Sequence, residues 1–159
     1  MRKIVIINGP NLNFLGKREI SKYGTTTYQE LVSELEEHAK KTNDLVFFQS
    51  NHEGEICDYI QKIINEKIDG VIVNPGAYTH TSVSLRDSLL LLSVPIIEVH
   101  ISDIKERESF RKTNLINDIC EKSFIGHGVN GYKMGIDLSL IHISEPTRPE
   151  RIWFGGLWV

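Results

Sequence analysis

The chain has 159 residues, 40% of them hydrophobic and 25% charged, with a formal net charge of −3. This length and composition predict one globular domain that buries its own core, and the charge gives no reason to expect nucleic acid or an anionic membrane as a partner. We see no signal peptide and no apolar stretch near the roughly 20 residues of a membrane span, so we expect a soluble, cytoplasmic protein.

Strand and helix patterns alternate along the chain. Short β-branched runs predict buried strands, and apolar residues three and four positions apart predict helices. In chain order the predicted elements are strand 3–7, helix 27–41, strand 45–49, helix 55–67, strand 70–74, helix 82–93, strand 95–100, a polar helical stretch 104–117, strand 123–126 and helix 131–141. Thr27 and Glu30 have the spacing of a capping box at the start of the first helix.

This alternation predicts an α/β fold, a three-layer sandwich with a parallel sheet between helices. Five strands suit a flavodoxin-like order of 2-1-3-4-5, in which the binding site lies past the carboxyl ends of the strands. We expect the single domain to occupy residues 1–141. Residues 142–159 have two prolines and no hydrophobic period, so they are an atypical tail: an interface arm or, as we favour, a non-native extension.

The segment after the first strand, residues 8–24, is too long for an ordinary strand-to-helix turn. It contains Arg18 and Tyr23. A free phenol is a poor base at neutral pH because its pKa is about 10. A guanidinium nearby stays charged and favours the phenolate, so one loop can carry a base and its activator. The alternative is a surface arginine and a tyrosine whose ring packs against the loop.

Polar segments also follow the other predicted strands, and in a parallel sheet they meet at one edge as a pocket. His80 and His100 follow neighbouring strands, where either serves as a general acid or as a structural histidine. Asn74 begins a tight turn, and Arg111 suits an anion or a polyol unless it is a plain surface charge. We find no zinc signature, dinucleotide fingerprint or P-loop.

Together these segments resemble the type II 3-dehydroquinate dehydratases, from residue 3 to about residue 135. The motifs that carry the resemblance are Asn8-Gly-Pro-Asn-Leu-Asn-x-Leu-Gly-x-Arg-Glu with Tyr23-Gly24, Gln49-Ser-Asn-His-Glu-Gly-Glu55, Asn74-Pro-Gly-Ala-Tyr-Thr-His-Thr-Ser82 with Leu85-Arg-Asp87, Glu98-Val-His-Ile-Ser102 and Arg107-Glu-x-Phe-Arg111. Five separate motifs in the right order make coincidence a poor explanation.

The resemblance implies a lyase of the shikimate or quinate pathway, the former leading to the aromatic amino acids. It converts 3-dehydroquinate to 3-dehydroshikimate by anti elimination of water through an enolate, without cofactor or metal. By position, Tyr23 matches the base, Arg18 its activator, His100 the acid and Asn11 the residue that holds a water against the enolate. The matching substrate-binding positions are Asn74, His80, Asp87, Ile101, Ser102 and Arg111. A homododecamer built as a tetramer of trimers is also implied, with Asp87 reaching a neighbour's site.

The chain departs from the family pattern at three points. Ile20 stands where the loop commonly has proline, Asp103 replaces a usual asparagine, and the pattern is lost beyond Ile136. From the residues alone, the alternative function is a non-catalytic flavodoxin-like binding module that holds a small polyol carboxylate. Growth of the ultraviolet absorbance of an enone product distinguishes the two.

Overall fold

The computed structural model describes residues 1–144, with side chains as far as Ile141. Five strands form one parallel sheet of order β2-β1-β3-β4-β5, which confirms the predicted order. The strands are β1 Arg2–Asn8, β2 Asn43–Gln49, β3 Gly70–Asn74, β4 Ile96–His100 and β5 Lys122–Ile125.

Six α-helices and four short 3₁₀ turns connect the strands in the described part of the chain. The helices are α1 Ile20–Tyr23, α2 Tyr28–Ala39, α3 Glu53–Ile63, α4 Tyr78–Thr81, α5 Val83–Leu89 and α6 Asn130–Ser144; the 3₁₀ turns are Leu12–Phe14, Ile104–Glu106, Ser109–Lys112 and Asn117–Ile119. The capping box at α2 is present, because the Thr27 side chain accepts from the Glu30 N–H and the Glu30 carboxylate accepts from the Thr27 N–H.

The sheet lies between two layers of helices because its central strands are apolar on both faces. On one face α2 and α6 pack over β1, β3 and β4, with Leu31, Leu35 and Ile136 buried there. On the other face α3 and α5 bury Ile60 and Leu89. Each such side chain stabilises the fold by about 1.5–3 kcal/mol relative to an exposed one. This sandwich turns the carboxyl ends of all five strands toward one edge.

Residues 104–117 do not form the helix that their pattern suggested. Two 3₁₀ turns occupy part of the stretch, and Asn114 interrupts it by accepting from the backbone N–H groups of Ile116 and Asn117. A side chain that satisfies the backbone locally competes with helix formation. The predicted helix 82–93 is also shorter, since Ser82 is its N-cap and tight turns end it at Leu89.

The last described helix passes the predicted domain boundary. α6 continues to Ser144, three residues beyond position 141. The rest of the predicted tail, residues 145–159, lies outside the described residues. From Met1 to Ser144, no helix combines the length and apolarity needed to cross a membrane.

Candidate active site

The register of the sheet brings polar residues together where the strands end. Asn8, the last residue of β1, lies between Gln49 of β2 and Asn74 of β3. His100 ends the next strand, β4. These side chains reach one edge because the strands are parallel, as the sequence pattern predicted.

A cavity of about 110 Å³ lies at this edge. Nine of the ten predicted site residues line it: Asn11, Arg18, Tyr23, Asn74, His80, His100, Ile101, Ser102 and Arg111. The tenth, Asp87, is exposed on α5 and does not line the cavity. Within one chain the structure therefore brings together every predicted site residue except this carboxylate.

Tyr23 lies between two guanidinium groups. Its hydroxyl accepts a hydrogen bond of 2.5 Å from Nη1 of Arg107, and Cζ of Arg18 lies 4.2 Å from the centroid of its ring. Cζ of Arg107 is 5.5 Å from the same centroid. Cations within about 4–6 Å favour the charged form of an acidic group. Both arginines thus place positive charge next to the phenol, and one of them was predicted.

Glu19 supplies a counter-charge to both arginines. Its Oε2 lies 3.7 Å from Nη2 of Arg18 and 3.9 Å from Nη2 of Arg107. The side chain of Arg107 is 10% exposed, and its Nε is buried without a hydrogen-bond partner among residues 1–141. This Nε lies 3.8 Å from Oε1 of Glu108, which is within ion-pair distance but beyond hydrogen-bonding range.

His100 is paired with a buried carboxylate. Nε2 of His100 lies 2.6 Å from Oε2 of Glu98, and Glu98 is completely buried. Glu98 also accepts hydrogen bonds from the Asn114 amide, 2.8 Å, and the Ser123 hydroxyl, 2.6 Å. Burial alone would raise the pKa of Glu98, but its hydrogen-bond donors and the charge of His100 outweigh that effect and hold the pKa below its ordinary value. An ionised Glu98 therefore fixes the orientation of the imidazole.

His80 has the opposite electrostatic environment. Burial lowers its pKa, and the neighbouring charges of His100, Arg111 and Arg107 lower it further, although the hydrogen bond to the Thr113 carbonyl opposes this. The distance from His80 Nδ1 to that carbonyl oxygen is 2.7 Å. At neutral pH His80 is therefore an uncharged ring on the cavity wall.

A buried chain of hydrogen bonds supports the cavity. The Tyr132 hydroxyl donates to Oδ1 of Asn8 at 2.6 Å and accepts from Nδ2 of Asn74 at 2.8 Å. Burial raises the pKa of Tyr132, so its hydroxyl stays protonated. Oδ1 of Asn74 accepts from the Gly76 N–H at 3.2 Å. Asn74 thus lines the cavity with both ends of its amide bonded to the protein, and it shapes the turn that forms the wall.

Sequence reasoning gave no role to two residues of this site, Arg107 and Glu98. Arg107 stands at the start of the motif from which only Arg111 was chosen. Glu98 lies two positions before His100, so both side chains share one face of β4. A carboxylate inside a buried strand is rarely accidental, because charged side chains are almost never fully buried unless they are paired. That signal was available in the sequence.

The rest of the described chain offers little other chemistry. A more open cleft of about 500 Å³ lies beside the cavity and shares Tyr23, Ser102 and Arg107 with it. Within residues 1–141, no cluster of three or more His, Cys, Asp or Glu side chains is arranged to hold a metal ion. The small cavity with its paired arginines and its buried Glu98–His100 pair is therefore the place where proton transfer is best supported.

Comparison with known sequences finds one protein family that matches the sheet and the loops around the cavity. The model of the family described as dehydroquinase class II matches residues 2–140. A 3-dehydroquinate dehydratase from Caldicellulosiruptor saccharolyticus is 52% identical over 136 residues, which cover 83% of this chain and 92% of that protein. Another from Polynucleobacter asymbioticus is 46% identical over 143 residues, covering 89% of this chain and 96% of that protein.

Solved structures agree with the sequences. The type II dehydroquinase from Butyrivibrio crossotus superimposes with a TM-score of 0.85 at 46% identity, covering 87% of this chain and 97% of that one. The type II dehydroquinase from Propionibacterium acnes superimposes with a TM-score of 0.84 at 33% identity, covering 88% of this chain and 97% of that one. These similarities extend over the whole sheet and every loop that lines the cavity.

Proposed function

The chain belongs to the dehydroquinase class II family and dehydrates 3-dehydroquinate to 3-dehydroshikimate, and we propose that Tyr23 is the base and His100 the acid of this reaction. One observation carries these roles. The hydroxyl of Tyr23 accepts a hydrogen bond from Arg107 and its ring lies against Arg18, while His100, which is paired with Glu98, lines the same cavity.

In the first step the Tyr23 phenolate takes the proton from C2, next to the ketone of the substrate. Arg107 donates a hydrogen bond to the phenol oxygen and Arg18 lies against the ring, so Tyr23 is held in place as the group that accepts a proton from carbon. Removal of this proton leaves an enolate, whose oxygen needs a hydrogen-bond donor. Asn11 lines the cavity and suits this purpose through a water that its amide holds.

In the second step the enolate expels the hydroxyl group from C1. His100 gives this group a proton, so it leaves as water and a double bond forms between C1 and C2 in conjugation with the ketone. Glu98 keeps the imidazole oriented for the transfer. Tyr23 ends protonated and His100 neutral, and exchange with solvent restores both.

The remaining predicted residues bind the substrate. The substrate carries a carboxylate and hydroxyl groups, which suit the Arg111 guanidinium, the neutral ring of His80 and the backbone of Ile101–Ser102. Asn74 borders the same space. Asp87 completes the site from a neighbouring subunit, in keeping with its exposed position on α5 away from its own cavity.

We also propose a homododecamer built from four trimers. A shared site of this kind needs a neighbour that brings Asp87 to the cavity. Large apolar side chains are exposed near α5 and the cavity mouth, with Val83 59% exposed, Leu91 54% and Phe110 62%. Exposed apolar groups of this size support burial against another subunit.

The reaction fits the shikimate pathway to the aromatic amino acids, in the cytoplasm. Cys57 is a free, half-buried thiol, which suits a reducing compartment.

Two variants test the contacts of Tyr23 on which the proposed roles depend. With 3-dehydroquinate, the wild-type protein should produce the growing ultraviolet absorbance of the enone. Tyr23→Phe should lower kcat by about 10²–10⁴-fold with KM little changed, because general-base catalysis contributes about this much. Arg107→Met keeps the bulk and removes both the charge and the hydrogen bond to the Tyr23 hydroxyl, so kcat should fall with KM little changed. Near-normal kcat in Tyr23→Phe would place the base elsewhere.

A further inference from the structure

The proposed reaction depends on Asn11, whose backbone has an unusual conformation. Asn11 has φ 69° and ψ −2°, in the left-handed region. Asparagine enters this region more readily than most residues, but it is still disfavoured for any side chain other than hydrogen. Local hydrogen bonds are therefore needed to keep Asn11 in this conformation.

Two hydrogen bonds hold the backbone of Asn11. Its N–H donates to Oδ1 of Asn51 at 2.9 Å, and its carbonyl accepts from the N–H of Phe14 at 3.0 Å. Asn51 lies in the loop after β2, does not line the cavity and has no role in the proposed chemistry. Asn11 itself lines the cavity. Among the hydrogen bonds of residues 1–141, the one from the Asn11 N–H therefore joins Asn51 to a residue that lines the cavity.

Asn51 is held in turn by two other side chains. Nε2 of Gln49 lies 3.3 Å from Oδ1 of Asn51, and the Tyr78 hydroxyl donates to the Asn51 carbonyl at 2.7 Å. Gln49 also donates to the carbonyl of Gly9 at 3.1 Å. Tyr78 belongs to α4, which follows β3. Asn51 therefore joins the loops after β1, β2 and β3.

The residues just before Asn11 are fixed from the opposite side. The Gly9 N–H donates to the Asn74 carbonyl at 2.8 Å, and a Cβ on Gly9 would collide with the backbone of Pro75. With this contact on one side and Asn51 on the other, Asn11 has little freedom to move.

We propose that Asn51 is a positioning residue for the dehydration, and this rests on the proposed role of Asn11. Its side-chain oxygen holds the left-handed backbone of Asn11, so that the Asn11 amide keeps its place beside the enolate oxygen. The enolate forms only as the reaction proceeds. Loss of this placement therefore lowers kcat and leaves substrate affinity largely intact.

Two variants of Asn51 and one control variant of Asn65 test this role. Asn51→Leu keeps the size and removes the acceptor, and we expect kcat to fall by about ten- to a hundredfold with KM changed by less than about threefold. Asn51→Asp keeps an oxygen for the Asn11 N–H, so kcat should stay within about threefold of the wild-type value. Asn65→Leu makes the same change at an exposed position that lines neither cavity, and it should behave as wild type.

A double-mutant cycle shows whether Asn51 acts through Asn11. Asn11→Gly removes the amide and adopts the left-handed conformation freely, so adding Asn51→Leu in this background should not lower kcat further. Tyr78→Phe removes the bond to the Asn51 carbonyl and should lower kcat in the same direction. If circular dichroism shows that Asn51→Leu is unfolded, Tyr78→Phe is used in its place.

Several outcomes would overturn the role of Asn51 while leaving the reaction intact. These are wild-type kcat in Asn51→Leu, an equal loss in Asn51→Asp, or losses that multiply in the double variant. A wild-type protein that is folded but produces no enone overturns the proposed function, and the role of Asn51 with it.

Discussion

The two arginines next to Tyr23 lie at very different distances from it in the sequence. Arg18 is five positions away in the same loop, whereas Arg107 is 84 positions away. A spacing of five is visible in the sequence, so Arg18 could be predicted. No local pattern links Tyr23 to Arg107, because that contact exists only once the loops after β1 and β4 meet above the sheet. The Glu98–His100 pair is different from the Tyr23–Arg107 pair, because its two residues lie on one face of the same strand. Here the tertiary structure adds only that both side chains are buried.

Glu98 should make the stability of the protein depend on pH. Its pKa in the folded chain is lowered, whereas in an unfolded chain it is about 4.3. A carboxyl group of this kind stabilises the fold fully above its unfolded pKa, and the stabilisation is lost as the pH falls through the folded value. In Glu98→Gln this contribution is absent. The decrease in thermal unfolding temperature from pH 7 to pH 3 should therefore be smaller than in wild type.

The same variant should affect catalysis at neutral pH. Without the carboxylate, His100 loses the partner that holds its ring, and kcat should fall by about a hundredfold or more. Glu121→Gln, at a surface carboxylate outside the cavity lining, is the matched control. Parallel curves of unfolding temperature against pH for Glu98→Gln and wild type would contradict the ionised state of Glu98.

At the scale of elements, the long segment after β1 contains secondary structure in both of its halves. Leu12 and Leu15 are buried and anchor its first half, and α1 carries Tyr23 in its second half. Between them Ile20 is 55% exposed. We propose that the second half moves as a lid, because α1 is a single turn whose contacts with the core run through Tyr23.

Ile20→Pro tests how freely this lid opens. Ile20 is the first residue of α1, a position where proline suits the helix and has no N–H to lose from it. Proline restricts the opened chain, so it should favour the ordered loop by about 0.4–1 kcal/mol. Trypsin should then cut more slowly after Lys17, Arg18 and Lys22. Ile20→Ala is the control that removes the side chain without restricting the backbone, and faster cleavage of Ile20→Pro would contradict the expected stabilisation.

At the scale of the whole molecule, the described chain forms the whole sandwich, but Asp87 does not line the cavity of its own chain. The sequence resemblance predicts a dodecamer that supplies this carboxylate from a neighbour, and the exposed apolar side chains on and near α5 agree with such contacts.

Removing residues 145–159 tests both the assembly and the predicted tail. This truncation keeps every described residue, so we expect the wild-type kcat. The full and the truncated protein should each have twelve times the mass of its own chain, which is 18.1 kDa for the full chain. Analytical ultracentrifugation measures the mass of the full and truncated chains side by side. A full chain that sediments as a monomer would contradict the dodecamer, whereas loss of assembly only on truncation would identify the tail as an interface arm.

The sequence by itself determined the sheet order, because alternating buried strands and amphipathic helices leave few ways to cover a parallel sheet. It also determined that polar segments meet at one edge, because parallel strands all end on the same side. The tertiary structure alone decided that Arg107 bonds to Tyr23 and that Asn51 holds Asn11. It also decided that Asn114 ends the expected helix after β4 and turns its amide to Glu98. Periodicity reports which face of an element is buried. Contacts between loops depend on the packing of elements that are distant in the chain, and no local pattern records them.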